Sequence, residues 1–160
     1  MLHFRRANLE DMKAVWSWRN DDRSVTMSFS KKTVPWEDHV RWFGNILNDV
    51  NTILYMADLL GETEGVGYVR FDKVQSECSE ISIALNPLYR SRKLGQPVLA
   101  EAIEKFFAET GKDRCSARVL EINKASVSIF EKVGFVKKRG SRRTIEYELA
   151  KTDLQAQGVL

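Results

Sequence analysis

Histidine and cysteine are both scarce in this chain, with two of each among 160 residues. His3 and His39 lie far apart, and Cys78 and Cys115 show no metal-ligand spacing. No metal site is therefore expected, and both thiols read as reduced side chains in strands. No apolar run approaches membrane-spanning length, and MLHFRRANLEDM has no apolar signal core. A cytoplasmic protein without a membrane partner is the expectation. A Gly-x-Ser-x-Gly elbow and a phosphate-loop lysine motif are missing, which argues against hydrolases and nucleoside triphosphatases. Net charge is only +3, so no nucleic-acid partner is required, although an anionic ligand suits it. With 43% hydrophobic and 29% charged residues, the composition is that of a globular protein. One domain is expected over residues 1–150, with 151–160 as a loose tail.

Leu2–Arg6 reads as an opening strand. Asn8 with Asp11 has capping-box spacing and starts a helix carrying Leu9, Met12, Val15, Trp16 and Arg19 along one side. A polar knot, Trp18 to Asp22, ends it. Pro35 suits the first position of a second helix, whose apolar side is Val40, Phe43, Ile46 and Leu47. Trp36, His39 and Trp42 crowd its first half. The four tryptophans all fall within 16–42. They fit either packing between two amphipathic helices or a wall for a sugar ring or base, and Trp36 is best placed for the wall. Arg19 and Asn20 either cap the first helix or face a substrate.

Thr52–Asp58, Val66–Phe71 and Glu80–Leu85 form an antiparallel meander. Val66, Tyr68 and Arg70 share one face of the middle strand, so Arg70 must reach water or an anion. Asn86-Pro87 stops the third strand. A basic loop, Tyr89-Arg90-Ser91-Arg92-Lys93-Leu94-Gly95, leads into a helix from Gln96 with Leu99, Ala102, Ile103 and Phe106 at helical spacing. Strand, loop and helix N-terminus together make an anion site, or else a basic loop that is merely solvated. Thr110-Gly111 ends the helix. Arg114–Leu120 is a fifth strand, Asn123 caps a helix over Lys124–Val133, and Gly134 terminates it. Phe135–Lys138 and Thr144–Ala150 close a hairpin around the basic run 139–143, read as solvated charge at a tip.

Two segments carry a resemblance. Arg90-Ser-Arg-Lys93-Leu-Gly95 resembles Arg/Gln-x-x-Gly-x-Gly/Ala, with Lys93 in place of the first glycine. Asn123-Lys-Ala-Ser126-Val-Ser-Ile-Phe130 up to Gly134-Phe135 resembles Asn-x-x-Ser-x-x-x-Tyr-x-x-x-Gly-Phe, with Phe130 in place of tyrosine. Both patterns, in this order, are those of the GCN5-related N-acetyltransferase (GNAT) superfamily. The resemblance implies an α/β (α+β) fold: a mixed, mostly antiparallel sheet of about seven strands, splayed between the fourth and fifth and flanked by roughly four helices. It implies acetyl-CoA as cosubstrate, with pantetheine against the backbone of Ile83, Ala84 and Leu85. Arg90, Ser91, Arg92, Lys93, Leu94, Gly95 and Gln96 would hold pyrophosphate, and Asn123, Ser126 and Phe130 would lie near the pantetheine arm.

Direct transfer needs a base for the ammonium proton and a stabilised oxyanion. Glu80 is the best-placed base, with Glu77 and His39 as competitors. Phe130 has no proton to give, so Ser126 or water serves as acid, or the thiolate leaves unassisted. Trp18-Arg-Asn-Asp, the Trp36–Phe43 run and Ile81–Pro87 resemble the sugar-nucleotide branch of the family. That implies a small-molecule amine on a nucleotide-linked sugar, met by Arg19, Asn20, Trp36, His39, Tyr68 and Arg70, with Arg23 as another candidate for a diphosphate. A protein N-terminal amine, a polyamine, an aminoglycoside, or a CoA sensor without catalysis stay open, as does a homodimer.

Overall fold

Alternating strands assemble into one sheet. The computed structural model describes residues 1–156. Its strands are β1 (Leu2–Arg6), β2 (Thr52–Leu59), β3 (Gly67–Asp72), β4 (Ser79–Leu85), β5 (Arg114–Leu120), β6 (Val136–Gly140) and β7 (Thr144–Ala150). They form a seven-stranded sheet in the order β1-β2-β3-β4-β5-β7-β6. Every pairing is antiparallel except β4 with β5. That parallel pairing lasts only through Ser79–Cys115 and Glu80–Ser116. Beyond it the two strands part, as the resemblance implied.

The helices are α1 (Met12–Arg19), α2 (Asp22–Thr26), α3 (Trp36–Ile46), α4 (Gly95–Thr110), α5 (Lys124–Val133) and α6 (Lys151–Ala156). None among the described residues is long and apolar enough to cross a membrane. The Asn8–Asp11 capping box forms on a 3-10 turn, Leu9–Asp11, that leads into α1. Gly111 and Gly134 end α4 and α5 with φ of 70° and 112°, in the left-handed region where a Cβ is costly.

Two cores flank the sheet. On one face Val98, Leu99, Ala102, Ile103 and Phe106 of α4 pack with Tyr55, Val69, Phe71, Ile81 and Ala117. On the other, Val15, Trp18 and Phe43 from α1 and α3 pack with Leu54, Met56 and Tyr68. The strand period of two therefore sends Tyr68 and Arg70 to the α1–α3 side and Val69 and Phe71 to the α4 side. Val66 precedes β3 and joins the α4 core, rather than sharing the face of Tyr68.

Several sequence expectations are corrected. Leu9 is exposed, and Trp18 with Val15 is what α1 buries. Val40 points outward, and His39 takes the core position one residue before it. Pro35 is the residue before the first turn of α3 and not its first helical position. Two short helices, α2 and α6, add to the four expected. The segment read as a loose tail begins as α6: Leu154 is 3% exposed within the α4-side core, and the Lys151 N–H donates to the Asp113 carbonyl at 2.8 Å. Residues 157–160 of that tail lie outside the described residues.

Candidate active site

The gap between β4 and β5 adjoins two candidate binding surfaces, a donor wall and an acceptor wall. On the donor side, the Asn86 N–H donates to the Val66 carbonyl at 2.8 Å, which sets the phase of the β3–β4 ladder. Ala84 and Ser82 follow that phase and direct their backbone to β3. Ile83 and Leu85, one residue out of phase, turn their N–H and C=O groups toward the gap. Of the three residues expected to present backbone there, Ala84 is thus the one engaged by β3. A Cβ at Gly67 would lie 2.5 Å from the Ala84 carbonyl oxygen, so that approach requires glycine.

Past the 3-10 turn Pro87–Tyr89 the chain reaches the basic loop. Ser91 and Lys93 adopt φ of 66° and 60°, so the motif position that carries glycine elsewhere keeps a glycine-like conformation here despite its lysine side chain. The N–H groups of Ser91, Lys93, Leu94, Gly95 and Gln96 donate to no acceptor among the described residues. They open at the N-terminus of α4, where the helix dipole is positive. At Gly95 a Cβ would fall 2.4 Å from Ile129 Cδ1, which keeps α4 close to α5. This main-chain cradle fits a pyrophosphate.

Arg90 is engaged differently from its sequence expectation. Its Nη1 lies 2.6 Å from Asp21 Oδ2, and its Nη2 donates to Ser24 Oγ at 2.9 Å. Arg92 lies over the Tyr89 ring, 4.8 Å from the centroid. Lys93 is exposed. Asn123 accepts from the Ser126 N–H at 3.2 Å, capping α5, and Ser126 is half-buried beside it. Phe130 is 3% exposed, stacked on Tyr147 and edge-on to Phe135. The position that carries tyrosine in the motif is a core position in this chain.

The candidate acceptor wall is the α1–α3 face of β3, β4 and β5. Tyr68 pairs with Ala84, Arg70 with Ser82, and Asp72 with Glu80. Trp18 stacks on Tyr68 at 6.4 Å between centroids. Arg70 lies 5.5 Å from the Trp42 centroid and donates from Nε to Asp72 at 2.9 Å. Burial pushes the Tyr68 hydroxyl above its usual range, and nearby Arg70 and Arg19 partly offset this. Arg19 Nη2 reaches Ser30 Oγ at 3.3 Å, whereas its Nη1 is buried without a hydrogen-bond partner. A guanidinium nitrogen desolvated in this way is one an incoming acceptor atom would satisfy.

Glu80 is held at both oxygens: Oε1 accepts from Arg118 Nε at 3.0 Å and Oε2 from Lys73 Nζ at 3.1 Å. Burial raises its carboxyl pKa, and the two cations more than offset that, leaving it below the usual value. Arg118 also lies over Phe29, 5.3 Å from the centroid, in the loop between α2 and α3.

The remaining expected contacts are internal. Asn20 donates to the Val34 carbonyl at 2.9 Å and accepts from the Val34 N–H at 2.7 Å, and Trp16 Nε1 donates to that same carbonyl. His39 is 2% exposed, with Nε2 donating to the Met12 carbonyl at 2.7 Å. Asn20 thus pins the loop to α1, and His39 fastens α3 to α1. Trp36 is exposed, edge-on to Trp16 at 5.3 Å. Sequence reasoning missed Asp21, Ser24, Phe29, Trp42 and Arg118 as parts of the site. The cation–aromatic pairing of Arg70 with Trp42 had a signal in the local tryptophan density; the others had none.

Residues 1–136 match the family model described as the acetyltransferase (GNAT) domain. The chain belongs to the GNAT family, and the matched model is that of an acetyltransferase domain. Among solved structures it is similar to the spermidine N-acetyltransferase of Vibrio cholerae in complex with CoA and spermine. That match has TM-score 0.83 and 12% identity, covering 96% of this chain and 98% of the other. A similar match is an uncharacterised protein of Bacillus halodurans, with TM-score 0.81 and 18% identity, covering 98% of this chain and 87% of the other. In sequence, an uncharacterised protein of Methanocaldococcus jannaschii is 24% identical over 148 residues, spanning 91% of this chain but only 30% of the relative.

Proposed function

We propose that this chain transfers the acetyl group of acetyl-CoA to the amino group of a nucleotide-linked amino sugar. The 4-amino group of a UDP-linked amino-dideoxy sugar, as in pseudaminic acid synthesis, is the reading nearest its sequence resemblance. One observation carries the proposal, the chemistry of the acceptor wall. Arg70 pairs there with Asp72, and Arg118 and Lys73 with Glu80, while Arg19 lies near Tyr68; Trp18, Trp42 and Phe29 are the rings among them. An excess of guanidinium groups beside stacked rings suits a diphosphate and a flat base. It repels a polycation such as spermidine.

The chain's own groups supply the rest of the reaction. Free amides of the loop and α4 hold the pyrophosphate, and the gap-facing groups of Ile83 and Leu85 align the pantetheine arm. The donor brings an activated thioester. The first ammonium proton goes to Glu80; the freed amine forms the C–N bond as the C–S bond breaks; the second proton on that nitrogen passes, through water or Ser126 as relay, to the leaving thiolate. With a thiol pKa of about 8.5, a thiolate leaves readily, so the loss of tyrosine at Phe130 is compatible with turnover.

Calorimetry with UDP as the probe, on protein saturated with CoA, tests the acceptor wall. UDP is expected to bind wild type, and Arg19→Ala with Arg70→Ala is expected to abolish that binding while CoA affinity holds. Spermidine binding with no UDP binding would overturn the proposal.

A further inference from the structure

We infer that Asp21 is a positioning residue for the acyl-donor loop: through Arg90 it ties that loop to the segment bearing the acceptor wall, so that filling the donor site orders the acceptor site. The inference rests on the donor-site reading above. Asp21 and Arg90 are 69 positions apart, yet they meet at 2.6 Å with both side chains half-buried. Ser24 completes the contact by accepting from Arg90 Nη2 at 2.9 Å. Asp21 Oδ2 also accepts from the Ser24 N–H at 3.2 Å, so one carboxylate both starts α2 and grips the loop. Burial pushes the Asp21 carboxyl up, while Arg90 and the Ser24 and Arg23 N–H groups more than offset it. It is charged at neutral pH.

Both ends of this contact lead to the site. Arg90 is followed directly by the unpartnered amides of Ser91 and of Lys93 through Gln96. Asp21 directly follows Arg19 and Asn20. The chain after α2 carries Ser30, which holds Arg19, and Phe29, which lies under Arg118. Asn20 and Trp16 fix the far end of this segment at Val34, whereas α2 itself is five residues long and buries none of them fully. A helix that short has no stability of its own, so a charge-assisted contact with a loop that tightens on a ligand decides its order.

Hydrogen exchange with CoA as the only probe tests this without an acceptor. In wild type, CoA is expected to slow exchange over residues 90–96 and also over 21–34. Asparagine is as good a helix cap as aspartate, so Asp21→Asn keeps the α2 cap while removing the charge. In that variant the slowing is expected over 90–96 only, with CoA bound about three- to tenfold more weakly. Asp21→Glu is expected to restore part of the protection over 21–34, and Ser24→Ala to reduce it. CoA binding with protection confined to 90–96 in wild type would overturn the coupling and leave the donor site standing. Equal protection over 21–34 in wild type and Asp21→Asn would overturn it too. No CoA binding, and no protection over 90–96, would overturn the donor-site reading and the coupling with it.

Discussion

Arg118 and Glu80 share a hydrogen bond of 3.0 Å across the first residues of the β4–β5 gap, and Lys73 holds the other carboxylate oxygen. Two cations make Glu80 a weaker base than an ordinary glutamate. Removing one stabilises its protonated form, so Arg118→Gln is expected to move the acidic limb of the kcat/KM profile to higher pH. Glu80→Gln is expected to lower kcat by about a hundredfold or more. A pH profile unmoved by Arg118→Gln, or Glu80→Gln with full activity, would remove Glu80 from the mechanism.

On the proposed function, Arg19 and Arg70 meet the acceptor and not the donor. Each single change to alanine is expected to raise the acceptor KM by about tenfold or more, the scale of one charge-assisted contact to phosphate, with KM for acetyl-CoA unchanged. Steady-state kinetics varying each substrate in turn checks this. Equal increases in both KM values would show a general structural effect instead.

Lys93 occupies the left-handed region at φ 60°. An L side chain there costs about 1–2 kcal/mol, part of which glycine returns as unfolded-state entropy. Lys93→Gly is therefore expected to stabilise the fold by up to about 1 kcal/mol, whereas Lys93→Ala keeps the strain. Urea denaturation of the two variants distinguishes them, and equal stability of both would contradict the backbone argument.

His39 sets a pH dependence of stability. Burial lowers its pKa, against a smaller upward effect of the Met12 hydrogen bond. Folding then favours the neutral ring. Its contribution is full above the unfolded pKa of about 6.5 and declines as pH falls through and below that value toward the folded pKa. The melting temperature is expected to drop between pH 7 and 5. His39→Gln keeps a donor for the Met12 carbonyl but does not titrate, and it is expected to flatten the curve. An identical slope in both proteins would place the effect elsewhere. Asp11 and Glu80, whose folded pKa values lie below the usual ones, act at more acidic pH, below about 4.5.

The local signals in the chain were sufficient for its regular elements. Leu2–Arg6, Arg114–Leu120, Lys124–Val133 and Thr144–Ala150 are bounded by caps, glycines and alternation, and the structure places them at those residues. The basic loop before α4 was legible for the same reason, since strand, loop and helix start are contiguous. What could not be read is what joins distant segments. Nothing local to Asp21 says that it meets Arg90, and nothing local to Arg118 says that it pairs with Glu80. His39 read as a site residue because histidine is usually polar surface; its burial goes with its bond to the Met12 carbonyl on a different helix. Val25 is the lone apolar residue of α2, which has no hydrophobic period and rests on its cap. Leu154 likewise anchors α6 in the core.

The most direct measurement is thiol release from acetyl-CoA in the presence of each of four amines at equal concentration. These are a UDP-linked 4-amino sugar, spermidine, an aminoglycoside and a peptide with a free N-terminus. The cationic, aromatic acceptor wall predicts turnover with the UDP-linked sugar and background rates with the other three. Turnover with spermidine or the aminoglycoside, and none with the sugar nucleotide, would contradict it.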